Sequence, residues 1–137
     1  MSDRGAQAVL AAVVLALLAA VAFVRLPAFW GDGATYYTMA WSLAEDLDLE
    51  YEARDVVRVR REFPSGPQGI FMKRSSGGLA LDGEGGGLHR VPPDKPRIYF
   101  AKANLYPLVA APFVRFMGTR GLLVVNVLSL GVALFAA

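Results

Sequence analysis

Residues 6–24 form an apolar run of nineteen positions in which Gln7 is the only polar side chain. A helix needs roughly 20 such residues to cross a bilayer, so the run predicts a transmembrane helix over 1–25, bracketed by Arg4 and Arg25. A second apolar run, 121–137, holds only Asn126 and Ser129 as polar side chains. At 1.5 Å per residue it covers roughly 25 Å of a hydrocarbon layer about 30 Å thick, with no Lys, Arg, Trp or Tyr at its far end as an anchor. It reads as a truncated second transmembrane helix over 119–137. The chain is therefore expected to be the N-terminal piece of a longer multispanning protein.

The stretch from Arg25 to Arg120 carries thirteen of the fourteen Lys and Arg and eleven of the twelve Asp and Glu. That is the composition of a water-facing region. A pI of 9.2 would suit a nucleic-acid binder, but the basic residues alternate with acids and form no folded basic module, so no nucleic-acid partner is expected. Cysteine is absent, which excludes a disulfide framework and a thiolate metal site.

Ala20-Val21-Ala22 satisfies the small-x-small rule for signal-peptide cleavage. Nineteen apolar residues exceed the roughly 7 to 15 of a cleavable signal, and the start Ser2-Asp3-Arg4 is not clearly basic, so an uncleaved signal anchor is preferred. Loops beyond roughly 60 residues largely escape the positive-inside rule, so charge leaves the side of the membrane open.

The loop is assigned to 26–103. Phe29 and Trp30 suit the headgroup level on leaving the membrane. Over 33–47, Tyr36, Met39, Ala40, Leu43 and Leu47 recur at three-and-four spacing, which predicts an amphipathic juxtamembrane helix with Glu45 and Asp46 facing away. Acids then alternate with Leu47, Leu49 and Tyr51 up to Glu52, the period of an extended stretch. Asp46, Asp48 and Glu50 share a face but lack the Gly and closing Glu of a calcium loop, so a solvated edge is favoured over a cation site. Arg54, Arg58 and Arg61 follow at helical spacing. A lipid-phosphate stripe is one reading of them; screening by the acids upstream, with Glu50 to Arg54 at i,i+4, is the stronger.

Residues 64–69 hold two prolines and two glycines, breaking regular structure before a short strand at 70–73. A second strand is expected at 97–101. Between them 75–96 contains six glycines and three prolines, so the two strands are expected to pair as a hairpin closed by a soft glycine-rich insert. The lone His89 in this insert reads as a surface residue. Residues 104–118, broken by Pro107 and Pro112 and carrying Arg115, read as an interfacial or partly inserted helix. The fold class is thus an all-α membrane protein fragment, two transmembrane helices joined by an extracytoplasmic loop with an amphipathic helix and a short β-hairpin.

Two constellations carry chemistry. In Trp30-Gly31-Asp32-Gly33-Ala34-Thr35-Tyr36-Tyr37, Asp32 lies just past the first span, where a carboxylate can act as general base on an acceptor arriving from water. Asp before a helix is also a favoured N-cap, and spacing alone favours that role. In Tyr99-Phe100-Ala101-Lys102-Ala103-Asn104-Leu105-Tyr106-Pro107, Lys102 could hold a phosphate and stabilise charge on a departing one. A snorkelling anchor is the alternative.

Together and in this order, these motifs resemble the N-terminal region of GT-C glycosyltransferases, the polytopic enzymes that include protein O-mannosyltransferases and lipid A aminoarabinose transferases. Asp32, Tyr36 and the helix from Met39 to Leu47 match the family's early Asp, aromatic residue and amphipathic helix, and Asp46-Leu47-Asp48-Leu49 resembles the acidic segment that follows. Tyr99, Phe100 and Lys102, with Tyr106-Pro107 beyond, match its Tyr-Phe-x-Lys and proline-bearing helix start. Gly33 stands where the family commonly has a second acid, and Ala103-Asn104 where it has Pro-Pro. No resident cofactor is assigned, and a divalent cation is left open.

The resemblance implies a bacterial multi-pass protein of the plasma (inner) membrane that moves a sugar from a polyprenyl-phosphate carrier to an acceptor hydroxyl or amine. Asp32 would be the catalytic base and Lys102 the phosphate holder, with Tyr36, Tyr37 and Tyr99 as substrate-binding residues. Its partners would be the lipid-linked donor, membrane lipid and the remainder of its own chain, and residues 1–137 alone would catalyse no transfer. The alternative is a non-catalytic membrane protein whose extracytoplasmic loop binds a partner.

Overall fold

The computed structural model describes residues 3–24, 30–75, 79–81, 88–90 and 97–136. The elements are α1 (Asp3–Val21), α2 (Gly31–Glu45), α3 (Ala53–Arg60), β1 (Met72–Arg74), β2 (Leu79–Leu81), β3 (Leu88–Arg90), β4 (Ile98–Phe100), α4 (Leu105–Met117) and α5 (Arg120–Ala136).

α1 is the one helix among the described residues long and apolar enough to cross a membrane, with a mean hydropathy of 2.0 over Arg4–Val21. A core helix of that composition would be covered by protein, whereas only 6% of this window is buried. The chain thus joins one apolar helix of spanning length to a small helical bundle. α5 is apolar over 17 residues and packs along α1, where Gly131 faces Val14.

In the bundle, α4 lies between α2 and α5, and α3 packs against α2. Its core joins Tyr37 and Ala40 of α2, Val59 of α3, Phe63, Ala110 and Val114 of α4, and Leu122 and Val125 of α5. Gly121 permits the close approach of α4 and α5, since a Cβ there would fall 2.5 Å from the Phe113 carbonyl carbon and the Val114 nitrogen. Asn126, a polar break in the second apolar run, lies 3.0 Å from the hydroxyl of Tyr106, which ties the same two helices. Arg115 is exposed on α4; it pairs with Glu45 at 3.2 Å and donates to the Ala44 carbonyl, where a cation complements the C-terminal end of α2.

The hairpin pairing holds, with β1 antiparallel to β4 and Lys73 opposite Tyr99. Within the insert, β2 pairs with β3 in an antiparallel ladder from Leu79↔Arg90 to Leu81↔Leu88. The side chain of His89 lies outside the described residues.

Three expectations change. The stripe predicted on α2 is displaced: Tyr37, Thr35, Thr38 and Ser42 are buried beside Met39 and Ala40, while Leu47 is 86% exposed just beyond the helix. Helices on several sides of α2 bury more of it than one apolar stripe, and the hydroxyls of Thr35 and Thr38 donate to carbonyls one turn back. The extended stretch is interrupted at Leu47, whose φ of 58° makes a turn, and rejoins a strand only where Glu50 bridges to Tyr99. Asp46 does not face solvent. Its side chain is 8% exposed and is gripped by Arg54 and Arg58.

The acids and arginines do screen one another, through other partners than helical spacing suggests. Arg54 pairs with Asp46, Asp48 and Glu52, whereas Glu50 takes Arg97 at 3.3 Å. Arg58 holds both Asp46 and Asp55, and the pairing keeps the Asp46 carboxyl below its ordinary range.

Candidate functional site

The two sequence motifs converge. Lys102 Nζ lies 2.9 Å from Asp32 Oδ1, joining the first turn of α2 to the segment that leads from β4 into α4. The Asp32 side chain is 56% exposed and that of Lys102 27%, so the pair lies on an open face.

The helix geometry decides the role of Asp32 in the fold. Trp30 occupies the N-cap position of α2 with an extended backbone and makes no side-chain cap bond; Asp32 is the second helical residue. The cap role favoured by spacing therefore gives way to an acid in the first turn, where the positive end of the helix dipole stabilises a carboxylate by roughly 0.3–1 kcal/mol. Its carboxylate is turned to Lys102.

A loop from Gln68 to Phe71 holds the pair in place. Gly31 N donates to the Gln68 carbonyl at 3.0 Å, and Trp30 and Gln68 form a parallel bridge. The loop crosses so close that a Cβ on Gly69 would meet Gly31 N at 3.1 Å, and both glycines have positive φ. One turn into α2, Thr35 donates to the Gly31 carbonyl at 2.9 Å and accepts the Phe71 N–H at 3.1 Å. The Phe71 ring then lies under Lys102, with Nζ 4.1 Å from its centroid, a cation–π contact.

The tyrosines separate. Tyr36 packs edge-on against Tyr106 at 5.5 Å, one helix turn from Asp32. Tyr37 is not beside the pair: it is 1% exposed, packs against Phe63, and donates its hydroxyl to Glu62, and burial pushes its ionisation far upward. A ring in the core offers no wall to a sugar. Tyr99 lies in β4 on a cleft of about 330 Å³ that Lys73, Arg74 and Ser75 also line.

Thr35 and Phe71 were missed as site residues. Both lie within segments read from the sequence, Thr35 in the Asp32 motif and Phe71 in the first strand, and the strand pairing that places Phe71 beside Ala101 was the available signal. Glu62 was also missed; it accepts from Tyr37, from Thr119 N at 3.1 Å and from the Thr119 hydroxyl, fastening the turn between α4 and α5. Among the described residues no group of three or more His, Cys, Asp or Glu gathers as a metal site.

No protein-family model matches this sequence, and no curated protein or solved structure matches it either.

Proposed function

We propose that this chain is the N-terminal part of a membrane glycosyltransferase that moves a sugar from a polyprenyl-phosphate carrier to an acceptor hydroxyl or amine. The observation that carries the reading is the contact of Asp32 with Lys102 at 2.9 Å on an exposed face. A base for the acceptor and a cation for the leaving phosphate are the two groups such a transfer requires. The apolar α1 supplies a means of holding the site at a lipid surface.

In the reaction, the acceptor oxygen or nitrogen attacks the anomeric carbon and gives its proton to Asp32. The carbon–oxygen bond to the carrier breaks, its electron pair leaves with the phosphate, and Lys102 balances that charge. Attack opposite the phosphate inverts the anomeric centre. Base and leaving group then lie on opposite sides of the sugar, so the direct ion pair is the empty state, and the donor phosphate draws Lys102 away from Asp32. The Phe71 ring keeps the ammonium at the site while it changes partner. Tyr36 and Tyr106 form the aromatic surface nearest along α2 and α4. The open face leaves a lipid-linked sugar to be enclosed by further spans of the same protein.

The test is transfer from a polyprenyl-phosphate-linked sugar by the full-length protein carrying Asp32→Asn. Loss of transfer with normal expression and unfolding temperature supports the base. Retained transfer would remove Asp32 as the base, and absence of transfer by the native full-length protein would move the chain to the partner-binding class.

A further inference from the structure

We propose that the cleft on the β1–β4 ladder, lined by Lys73, Arg74, Ser75 and Tyr99, is a binding site for a phosphate group. The inference stands on its own geometry and not on the transferase reading.

Lys73 and Tyr99 are directly opposed in the β1–β4 register, and Ser75 extends the pair by donating its N–H to the Arg97 carbonyl at 2.8 Å. Alternation along the strand puts Lys73 and Ser75 on the face of Tyr99, an ammonium and two hydroxyls together, while Arg74, which also lines the cleft, is the strand position between them. That set suits a tetrahedral oxyanion, since arginine matches two of its oxygens at once and lysine and the hydroxyls donate to the others.

Lys73 and Arg74 differ from the other cations without a carboxylate partner among the described residues, Arg4, Arg60, Arg61 and Arg120, in lining one cavity together. Arg54, Arg58, Arg97, Lys102 and Arg115 each contact a carboxylate. Among the described residues Lys73 and Arg74 make no ion pair, although they share one cavity. Arg97 does not add to the surplus, because Glu50 balances it at 3.3 Å.

The cleft adjoins the Asp32–Lys102 pair without including it. Ala101 N donates to the Phe71 carbonyl at 2.9 Å, which carries the ladder two residues past Lys73. Strand alternation then puts Phe71, the ring under Lys102, on the same face as Lys73 and about 7 Å along the strand. The phosphate could belong to a lipid headgroup or to a soluble phosphate compound, and the same four side chains would hold either.

The experiment uses the full-length protein and two probes. In phosphatidylcholine nanodiscs, inorganic phosphate is titrated by calorimetry; in vesicles with about one-fifth phosphatidylglycerol, lipid retained on the extracted protein is counted by native mass spectrometry. We expect at least one probe to bind saturably, the Lys73→Gln/Arg74→Gln double variant to lose at least tenfold in that binding, and Arg61→Gln, an exposed cation outside both sites, to lose less than twofold. Phosphate binding alone assigns a soluble source, and phosphatidylglycerol retention with or without it assigns a headgroup. Should the double variant unfold, Lys73→Gln and Tyr99→Phe singly are expected to weaken binding about threefold each. Binding of neither probe, or binding unchanged in folded variants, overturns the proposal.

Discussion

Asp32 and Lys102, far apart in sequence, close an ion pair of 2.9 Å on the open face where α2 begins and the chain enters α4. Exposed pairs contribute only about 0–1 kcal/mol, so fold stability is a weak reason for the contact. Asp32→Ala is expected to destabilise the protein by less than about 1 kcal/mol in denaturant unfolding. A loss of 2 kcal/mol or more would make the residue structural.

Phe71 is expected to act through Lys102. A cation–π contact at a partly exposed site is worth about 0.5–1 kcal/mol, a factor of roughly two to five. Phe71→Leu should therefore raise KM for the lipid-linked donor by about that factor and leave kcat nearly unchanged. An unchanged KM would remove Phe71 from the site.

Glu62 fastens α2 to the turn before α5 through Tyr37 and Thr119. Removing a carboxylate that accepts several hydrogen bonds costs about 1–3 kcal/mol, and Glu62→Ala is expected to lose that much in thermal or denaturant unfolding. Gly118→Ala should act in the same direction, because its φ is +59° and the added Cβ would lie 2.5 Å from Glu62 Oε2.

Burial raises the Asp55 carboxyl to about 6, opposed by the Glu52 N–H and Arg58 and reinforced by Asp46 and Asp48. An acid whose folded value lies above its unfolded 3.8 contributes stability that is complete below pH 3.8 and lost as pH rises through about 6. Asp46, held low by Arg58, works oppositely: its contribution is present above 3.8 and is lost as pH falls through its depressed value. Asp55→Asn should therefore gain relative to the native protein between pH 4 and pH 7, measured by urea unfolding. A constant difference across that range would contradict the assignment.

The sequence was most legible where one element decides the outcome. The apolar run of α1, the pairing of β1 with β4 and the helix over α4 follow from composition, from Pro and Gly punctuation and from local period. The encounter of Asp32 with Lys102 was implied only by the family resemblance, which put a base and a phosphate holder in one site. Tyr37 was misplaced because its burial depends on α3 and Phe63, which no local period reveals. The partners of Arg54 and Glu50 were likewise set by the turn at Leu47 and by the β4 edge, not by helical spacing. Thr35 looked like any helix-start threonine; its use appears only when the Gln68–Phe71 loop is laid across it.

The central claim is that Asp32 and Lys102 have different tasks in one reaction, and exchanging them tests it most directly. In the full-length protein, Asp32→Lys with Lys102→Asp preserves the opposite charges while putting the base and the phosphate holder in each other's places. The account predicts an unfolding temperature near that of the native protein and sugar transfer reduced at least a thousandfold, as in Asp32→Asn alone. Transfer restored to near the native rate by the exchange would show that only the salt bridge matters, and would contradict it.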